Sequence, residues 1–349
     1  MKSIHPIIFS SLLPYEDFFF IAEAGVNHEG SPEAAITMVE EASRAGAHAI
    51  KFQAYRANYL AHKQYATAYW DQNQESATSQ HSLFSKFESF NYSDWLRIKE
   101  ACCHHGIQFW LSIFDIDLAK ELSPLCDGLK VASGDLTFAR LHDFLISTHK
   151  PLIFSTGAST FEEISSLNTK LQNTNSALLF CRLSYPTLDP NAEYGLYRKY
   201  ELEFNLLKGI SDHCLMGNGE SVTLAYALGA NIVEKHFTLT PSAKGNDHYH
   251  SIDPDTLKST LLSIQRMQNL YHVTSTDVPT AAELDARKGA RRSLFFNKDL
   301  QKDSIISEND LVELRPGTFC SAHKASLFIG KRLTHDAKYN TPIDNSHIQ

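Results

Sequence analysis

No apolar run in this 349-residue chain reaches the ~18 residues needed to cross a bilayer, so no membrane span is expected. No Cys-x-x-Cys pair occurs, which excludes a zinc ribbon. The six cysteines stand at 102, 103, 126, 181, 214 and 320, and adjacent Cys102 and Cys103 on a helical stretch make a poor disulfide. Unpaired thiols fit a reducing compartment. The N-terminus has no long apolar core, because Ile7-Ile8-Phe9 is broken by Ser10, Ser11 and Pro14. No signal peptide is therefore expected, and a cytoplasmic location is. Positive charge is not in excess: 32 Lys and Arg face 40 Asp and Glu, a net charge of -8. A general nucleic-acid binder would be basic, so no nucleic-acid partner is expected. No Gly-x-Gly-x-x-Gly follows the first apolar run, which disfavours an open dinucleotide-binding sheet.

What is present is ordinary globular composition, 43% apolar and 21% charged, with chain enough for one large domain and one small. Nearly continuous apolar runs recur at residues 18–22, 47–52, 107–113, 128–132, 152–154, 177–181, 207–210 and 231–233. Their lack of polar alternation is the pattern of parallel strands buried on both faces. Helix signals lie between them. Ser31-Pro32-Glu33 supplies an N-cap, a proline at the first helical position and an acid in the first turn. Thr160 and Glu163 have capping-box spacing, and Asp253-Pro254 opens a further helix. Eight strand–helix alternations predict a (β/α)8 TIM barrel over residues 1–270. Residues 271–290 read as a linker, and 291–349 as a small β-rich module with β-like runs at 293–296 and 326–329. That module carries nine Lys and Arg against seven Asp and Glu, so it is locally positive on an acidic chain. Residues 54–90 are too long for a simple connection. They follow the C-terminal end of a strand, the face that carries active sites in barrels, and so read as a lid; a tolerated surface insertion is the plainer alternative.

Polar residues at the ends of all eight runs would form one ring. They include Glu23, Lys51 and Gln53, Ser112, Ser133 and Asp135, Ser155, Tyr185, Ser211 with Asp212 and His213, and Glu234 with Lys235 and His236. The loop after the eighth run adds Asp247 and His248. His213 and His236 end adjacent strands ~4.8 Å apart, close enough to hold one ion. Two imidazoles among oxygen groups suit Mn²⁺ with water and substrate positions open; two structural histidines are the plain alternative. Lys51 among serines suits a phosphate or carboxylate, or else a Schiff-base lysine.

Several ordered motifs resemble the sialic acid synthase family. They are Phe20-Ile21-Ala22-Glu23-Ala24-Gly25-Val26-Asn27-His28, Ile50-Lys51-Phe52-Gln53, Lys130-Val131-Ala132-Ser133-Gly134-Asp135, Ser155-Thr156-Gly157, Ser184-Tyr185-Pro186, Ser211-Asp212-His213, Glu234-Lys235-His236-Phe237 and Asn246-Asp247-His248. Arg291-Arg292-Ser293 and Leu314-Arg315-Pro316-Gly317 look like that family's C-terminal antifreeze-like (SAF, β-clip) domain. The resemblance implies condensation of phosphoenolpyruvate with N-acetylmannosamine, or a related N-acyl amino sugar, to a nine-carbon 2-keto acid and phosphate. It implies a divalent ion on His213 and His236, Mn²⁺ before Mg²⁺ or Co²⁺. Lys51, Gln53, Ser112, Ser133, Ser155 and Ser211 would hold phosphoenolpyruvate, while Glu23, Gln53, Tyr185 and Asp247 would hold sugar hydroxyls. Asp135 would act as general acid and base. Arg315 would reach the sugar's N-acyl group in a neighbouring subunit, which implies a domain-swapped homodimer. Leu183, Asp135 and Asn246 depart from the usual small polar residue, Glu and Pro. The sugar is therefore open: free N-acetylmannosamine, its 6-phosphate, or a diacetamido trideoxy sugar leading to legionaminic or pseudaminic acid. A Schiff-base aldolase using Lys51 and a non-catalytic carbohydrate-binding protein are the readings from other classes.

Overall fold

Runs that are apolar on both faces leave a strand no solvent side, so each must pair laterally and be covered by helices. The computed structural model, which describes residues 7–70, 75–88, 90–215, 217, 219–245, 247–271 and 278–349, shows that outcome. The strands are β1 (Phe19–Gly25), β2 (Ala49–Ala54), β3 (Gln108–Ile113), β4 (Gly128–Val131), β5 (Leu152–Ser155), β6 (Ser176–Cys181), β7 (Leu207–Asp212) and β8 (Ile232–His236). They pair in sequence order, and β8 closes on β1, making a closed parallel barrel. Several strands run a few residues beyond the apolar runs, because polar side chains that point into a barrel still allow the backbone ladder. The expected helix signals operate. Ser31 Oγ accepts from Ala34 N at the start of the helix Pro32–Ala45, and Thr160 and Glu163 form a capping box. Among the described residues no helix is long and apolar enough to cross a membrane.

Side chains alternate along a strand, so parity decides which side each residue serves. Phe19, Ile21, Ala49, Trp110, Ile153, Ala177, Leu179 and Ile232 meet in one buried cluster, joined by Ile7 and Phe9. This is the apolar floor of the barrel interior. The intervening residues, among them Phe20, Ala22, Ile50, Phe52, Phe109 and Leu111, belong to the larger core that includes the helices. Two residues beyond the floor, the same interior parity carries Glu23, Lys51, Ser112, Ser155 and Glu234, all buried. Asp212 and Lys235 have the opposite parity. Lys235 Nζ donates to Asp212 Oδ2 at 2.8 Å, and Ser221 donates to the same oxygen, so this pair braces β7 and β8 away from the ring.

The chain divides into Met1–His272 and Val273–Gln349. In the second unit β9 (Ser293–Phe296) pairs antiparallel with β10 (Leu311–Leu314). Leu294, Phe296, Ile306, Leu311, Phe328, Leu333, Ala337 and Ile343 form its core. One expectation is refined here and one corrected. The segment read as linker contains a helix, Ala281–Ala290, started by a Thr280–Glu283 capping box; residues 272–277 lie outside the described residues. The run at 326–329 is no strand: it overlaps the 3-10 turn Ala322–Leu327, which buries Phe328 as a core anchor. The second strand is Leu311–Leu314, only half buried and therefore without a continuous apolar run.

Gly209 of β7 faces Ile232 of β8, and a Cβ there would lie 1.8 Å from the Ile232 carbonyl oxygen. No side-chain movement relieves a backbone clash, so Gly209→Ala should destabilise the barrel by about 3 kcal/mol. An unchanged urea midpoint would show that β7 and β8 are not this close.

Candidate active site

The polar layer above the floor is an array of alternating charges. Lys51 Nζ lies 2.5 Å from Glu23 Oε2 and 3.6 Å from Glu234 Oε1. Lys130 Nζ lies 2.5 Å from the same Glu234 oxygen. Lys51 also donates to Ser112 Oγ at 2.9 Å, and Lys130 to Ser211 Oγ at 3.2 Å. Gln53 Nε2 donates to Glu23 Oε1 at 3.0 Å. Burial alone would raise the pKa of Glu234, but Lys130 and then Lys51 outweigh it and hold the carboxyl below the ordinary range. At Glu23 burial wins over Lys51, and the carboxyl is pushed up. Two cations and two carboxylates thus meet with short hydroxyl donors, within reach of one small compartment of about 40 Å³.

Glu23, Lys51, Gln53, Ser112, Ser133, Ser155, Tyr185, Ser211, His213 and His236 all line this compartment, as the ring predicts. Ser133 Oγ accepts from Gly157 N at 3.0 Å, whereas buried Ser155 Oγ has no hydrogen-bond partner among the described residues. Above it opens a cavity of about 340 Å³ that shares Gln53, Ser133, Tyr185 and His236 with the compartment below. Asp135 and Asp247 line this upper part. So do Tyr55, Leu60, Tyr69, Trp70, Glu75, Leu83, Phe84 and Phe87, all from the long insertion. Arg315 follows β10 in the second unit and is exposed there. Asn246 lies outside the described residues.

A third group sits where the two spaces meet. The His213 and His236 ring centres are 5.3 Å apart, and the Tyr185 ring lies 4.3 Å from that of His213. His213 Nδ1–H donates to the Arg182 carbonyl at 2.9 Å, which leaves its Nε2 lone pair free. His236 Nδ1 lies 3.3 Å from Asp247 Oδ2. One ligand atom each from His236, Asp247 and His250 lie within 4.8 Å of one another, a group able to hold a metal ion. The expected pair His213 and His236 is therefore adjacent, but the group within 4.8 Å joins His236 to Asp247 and His250 and does not include His213.

Sequence reasoning did not select Lys130 or His250. Lys130 carried a signal, a single charge between Leu129 and Val131 in a buried strand. His250 carried none, because only the fold of the loop after β8 brings its ring within 4.7 Å of that of His236.

The chain matches the NeuB family over residues 38–275. It belongs to that family. It is 33% identical over 340 residues to N,N'-diacetyllegionaminic acid synthase of Legionella pneumophila, covering 95% of this chain and 94% of that protein. A second N,N'-diacetyllegionaminic acid synthase, from Campylobacter jejuni, is 32% identical and covers 91% of this chain and 96% of that protein. The crystal structure of N-acetylneuraminic acid synthetase from Leptospira borgpetersenii in complex with citrate has a TM-score of 0.66 and 27% identity, covering 78% of this chain and 90% of that one. The chain is thus an enzyme of the sialic acid synthase type, a transferase that forms a carbon–carbon bond with phosphoenolpyruvate.

Burial raises the Asp135 carboxyl in this NeuB member to about 6, and its Oδ2 has no partner among the described residues. A carboxyl with a higher pKa in the folded chain favours folding below its unfolded pKa and loses that contribution as pH rises through the folded one. Lowering the pH from 7.5 to 5 should therefore stabilise the protein relative to Asp135→Asn by ~1–1.5 kcal/mol in urea titrations. A difference constant with pH would refute a buried, proton-holding Asp135.

Proposed function

We propose that this enzyme condenses phosphoenolpyruvate with a neutral N-acylated amino sugar, giving a nine-carbon 2-keto sugar acid and phosphate. The observation that carries the reading is the buried Lys51 and Lys130 pair among serines, at the base of a larger cavity whose described lining holds no Lys or Arg. Phosphoenolpyruvate brings a phosphate and a carboxylate. Lys51 and Lys130 supply charge, and Ser112, Ser133, Ser155 and Ser211 supply short donors that fix its orientation. A divalent ion at the histidine group, Mn²⁺ by the mixed nitrogen and oxygen donors, polarises the sugar aldehyde when bound.

The methylene carbon of phosphoenolpyruvate then forms the new bond to the aldehyde carbon, and the aldehyde oxygen takes up a proton. The cationic C2 centre left behind adds water, whose proton Asp135 accepts. Asp135 returns that proton to the departing phosphate as the C–O bond breaks, and the remaining C2 hydroxyl releases its proton to solvent, balancing the one the aldehyde oxygen took up, to leave the 2-keto group. A carboxyl with a pKa near 6 suits this exchange at neutral pH. Gln53 and Tyr185, which line both spaces, and Glu23 of the lower compartment are assigned to the sugar hydroxyls in this reading.

The upper cavity favours one class of sugar. Its described lining holds no Lys or Arg but three carboxylates, Asp135, Asp247 and Glu75, the last ion-paired to Lys86 at 2.7 Å, beside an aromatic wall. A sugar phosphate would meet repulsion there, whereas a deoxy, N-acylated sugar would place methyl groups on the aromatics. The resemblance to legionaminic acid synthases supports the same class. Phosphate release from phosphoenolpyruvate should be fastest with a 2,4-diacetamido trideoxy hexose and slower with N-acetylmannosamine. The 6-phosphate should be at least ~10-fold poorer in kcat/KM, about 1.4 kcal/mol. EDTA should stop turnover, and borohydride should trap no adduct on Lys51. A preference for the 6-phosphate would overturn the sugar assignment, and a trapped imine would overturn the role of Lys51.

The resemblance adds a second part to the proposal. The small unit acts as an antifreeze-like domain of a domain-swapped homodimer, in which Arg315 serves the N-acyl group at the other subunit's site. Losing such a charged donor costs about 1.5–3 kcal/mol, so Arg315→Ala should weaken sugar use ~10-fold or more and spare phosphoenolpyruvate affinity. Mixing inactive Asp135→Ala subunits with Arg315→Ala subunits should restore part of the activity. No recovery in a verified mixed dimer would show that each tail serves its own barrel or none.

A further inference from the structure

Nothing in the chemistry above uses His250. It ends the short turn His248–His250 after β8 and has 0% of its surface exposed. Neither ring nitrogen has a hydrogen-bond partner among the described residues. An imidazole always carries at least one N–H, and leaving donor and acceptor both buried and unmet is costly, so such a group calls for a missing partner. Its ring centre lies 4.7 Å from that of His236 and 6.5 Å from that of His213. Its Nε2 is 3.8 Å from Asp247 Oδ1, too long for a hydrogen bond. His236 Nδ1 is likewise buried and makes no hydrogen bond, its nearest charged neighbour being Asp247 Oδ2 at 3.3 Å. Ligand atoms sit about 2.1 Å from an ion, so two of them on one ion lie up to ~4.2 Å apart. The separations within 4.8 Å found here close onto one ion with small side-chain movements.

We propose that His250 is a direct ligand of the divalent ion, forming with His236 and Asp247 a two-histidine, one-carboxylate set beside His213. Three protein ligands on one face leave the opposite positions open to water and substrate, the arrangement this donor set adopts around six-coordinate ions. Asp247 then acts first on the ion, and on sugar hydroxyls only through it. The ion is held more firmly than by two histidines alone.

This inference depends on the metal reading above, and the experiment separates the two. Mn²⁺ alone is titrated calorimetrically into the metal-stripped full-length protein, its His250→Ala and His250→Gln variants, and Asp247→Asn, without substrates. The unaltered protein should bind one ion, and both His250 variants should bind it at least ~10-fold more weakly. The visible spectrum of bound Co²⁺ should change in the variants. Unchanged affinity and spectrum would overturn the role of His250 while leaving the metal reading intact. No ion bound by the unaltered protein would overturn both. Crystals of the unaltered protein soaked in Mn²⁺ give a check that no variant can spoil. Anomalous density should lie about 2.2 Å from a His250 nitrogen, and density bonded to His213 and His236 but well beyond that distance from His250 would refute the proposal.

Discussion

Four buried charges inside one barrel are the constraint on which the rest of this structure depends. Lys51 and Lys130 are held between Glu23 and Glu234, and all four are almost without solvent. Such an array is a poor way to gain stability, because desolvation offsets most of the Coulombic attraction. Breaking one pair would leave an uncompensated charge, typically a loss of 3–5 kcal/mol. The array therefore makes sense as a prepared site. In the proposed reading an arriving trianion would take over the lysines from carboxylates that already hold them in place, and little reorganisation would be needed at the moment of reaction.

The array is possible because the floor beneath it is dry. Trp110, Phe19, Ile21 and Ile153 fill the interior below. Gly128 gives the indole of Trp110 its room: a Cβ there would lie 2.3 Å from the ring. Water is thus confined to the upper end, where the aromatic wall from the long insertion narrows access. In the proposed reading the compartment just above the floor would hold the anion, the cavity opening above it would shape the sugar, and the histidines would lie between the two reacting groups. That order suits a reaction in which a weak carbon nucleophile must meet an activated aldehyde before water does.

Most of this architecture could be read before any fold was known, for a specific reason. A strand buried on both faces must be nearly continuous in apolar residues, so the eight strands stood out by composition alone. The lining of the compartment was legible because parity along a strand is strict: once Phe52 faces the helices, Lys51 and Gln53 must face inward. Parity applied equally to Lys130, between Leu129 and Val131, but the short β4 offers too few turns of the pattern to separate a lining lysine from a surface one. The second unit was less legible. Its strand Leu311–Leu314 is half exposed, and the buried apolar residue near the expected strand, Phe328, anchors a turn.

The sequence by itself determined the barrel, the interior face of each strand and the chemical character of the ring, since these follow from local periodicity and from the backbone's need to pair. It also placed Glu23, Lys51, Ser112, Ser211 and His236 at one end of the strands. Only the tertiary structure decided which ionic groups touch. Glu234 serves two lysines from different strands, and Asp212 and Lys235, adjacent in sequence to ring residues, turn away to pair with each other. The meeting of His250 with His236 was likewise decided by a loop returning over the barrel mouth. Contacts across a barrel and through loops depend on the closure of the whole sheet, and no local pattern in the chain encodes that distance.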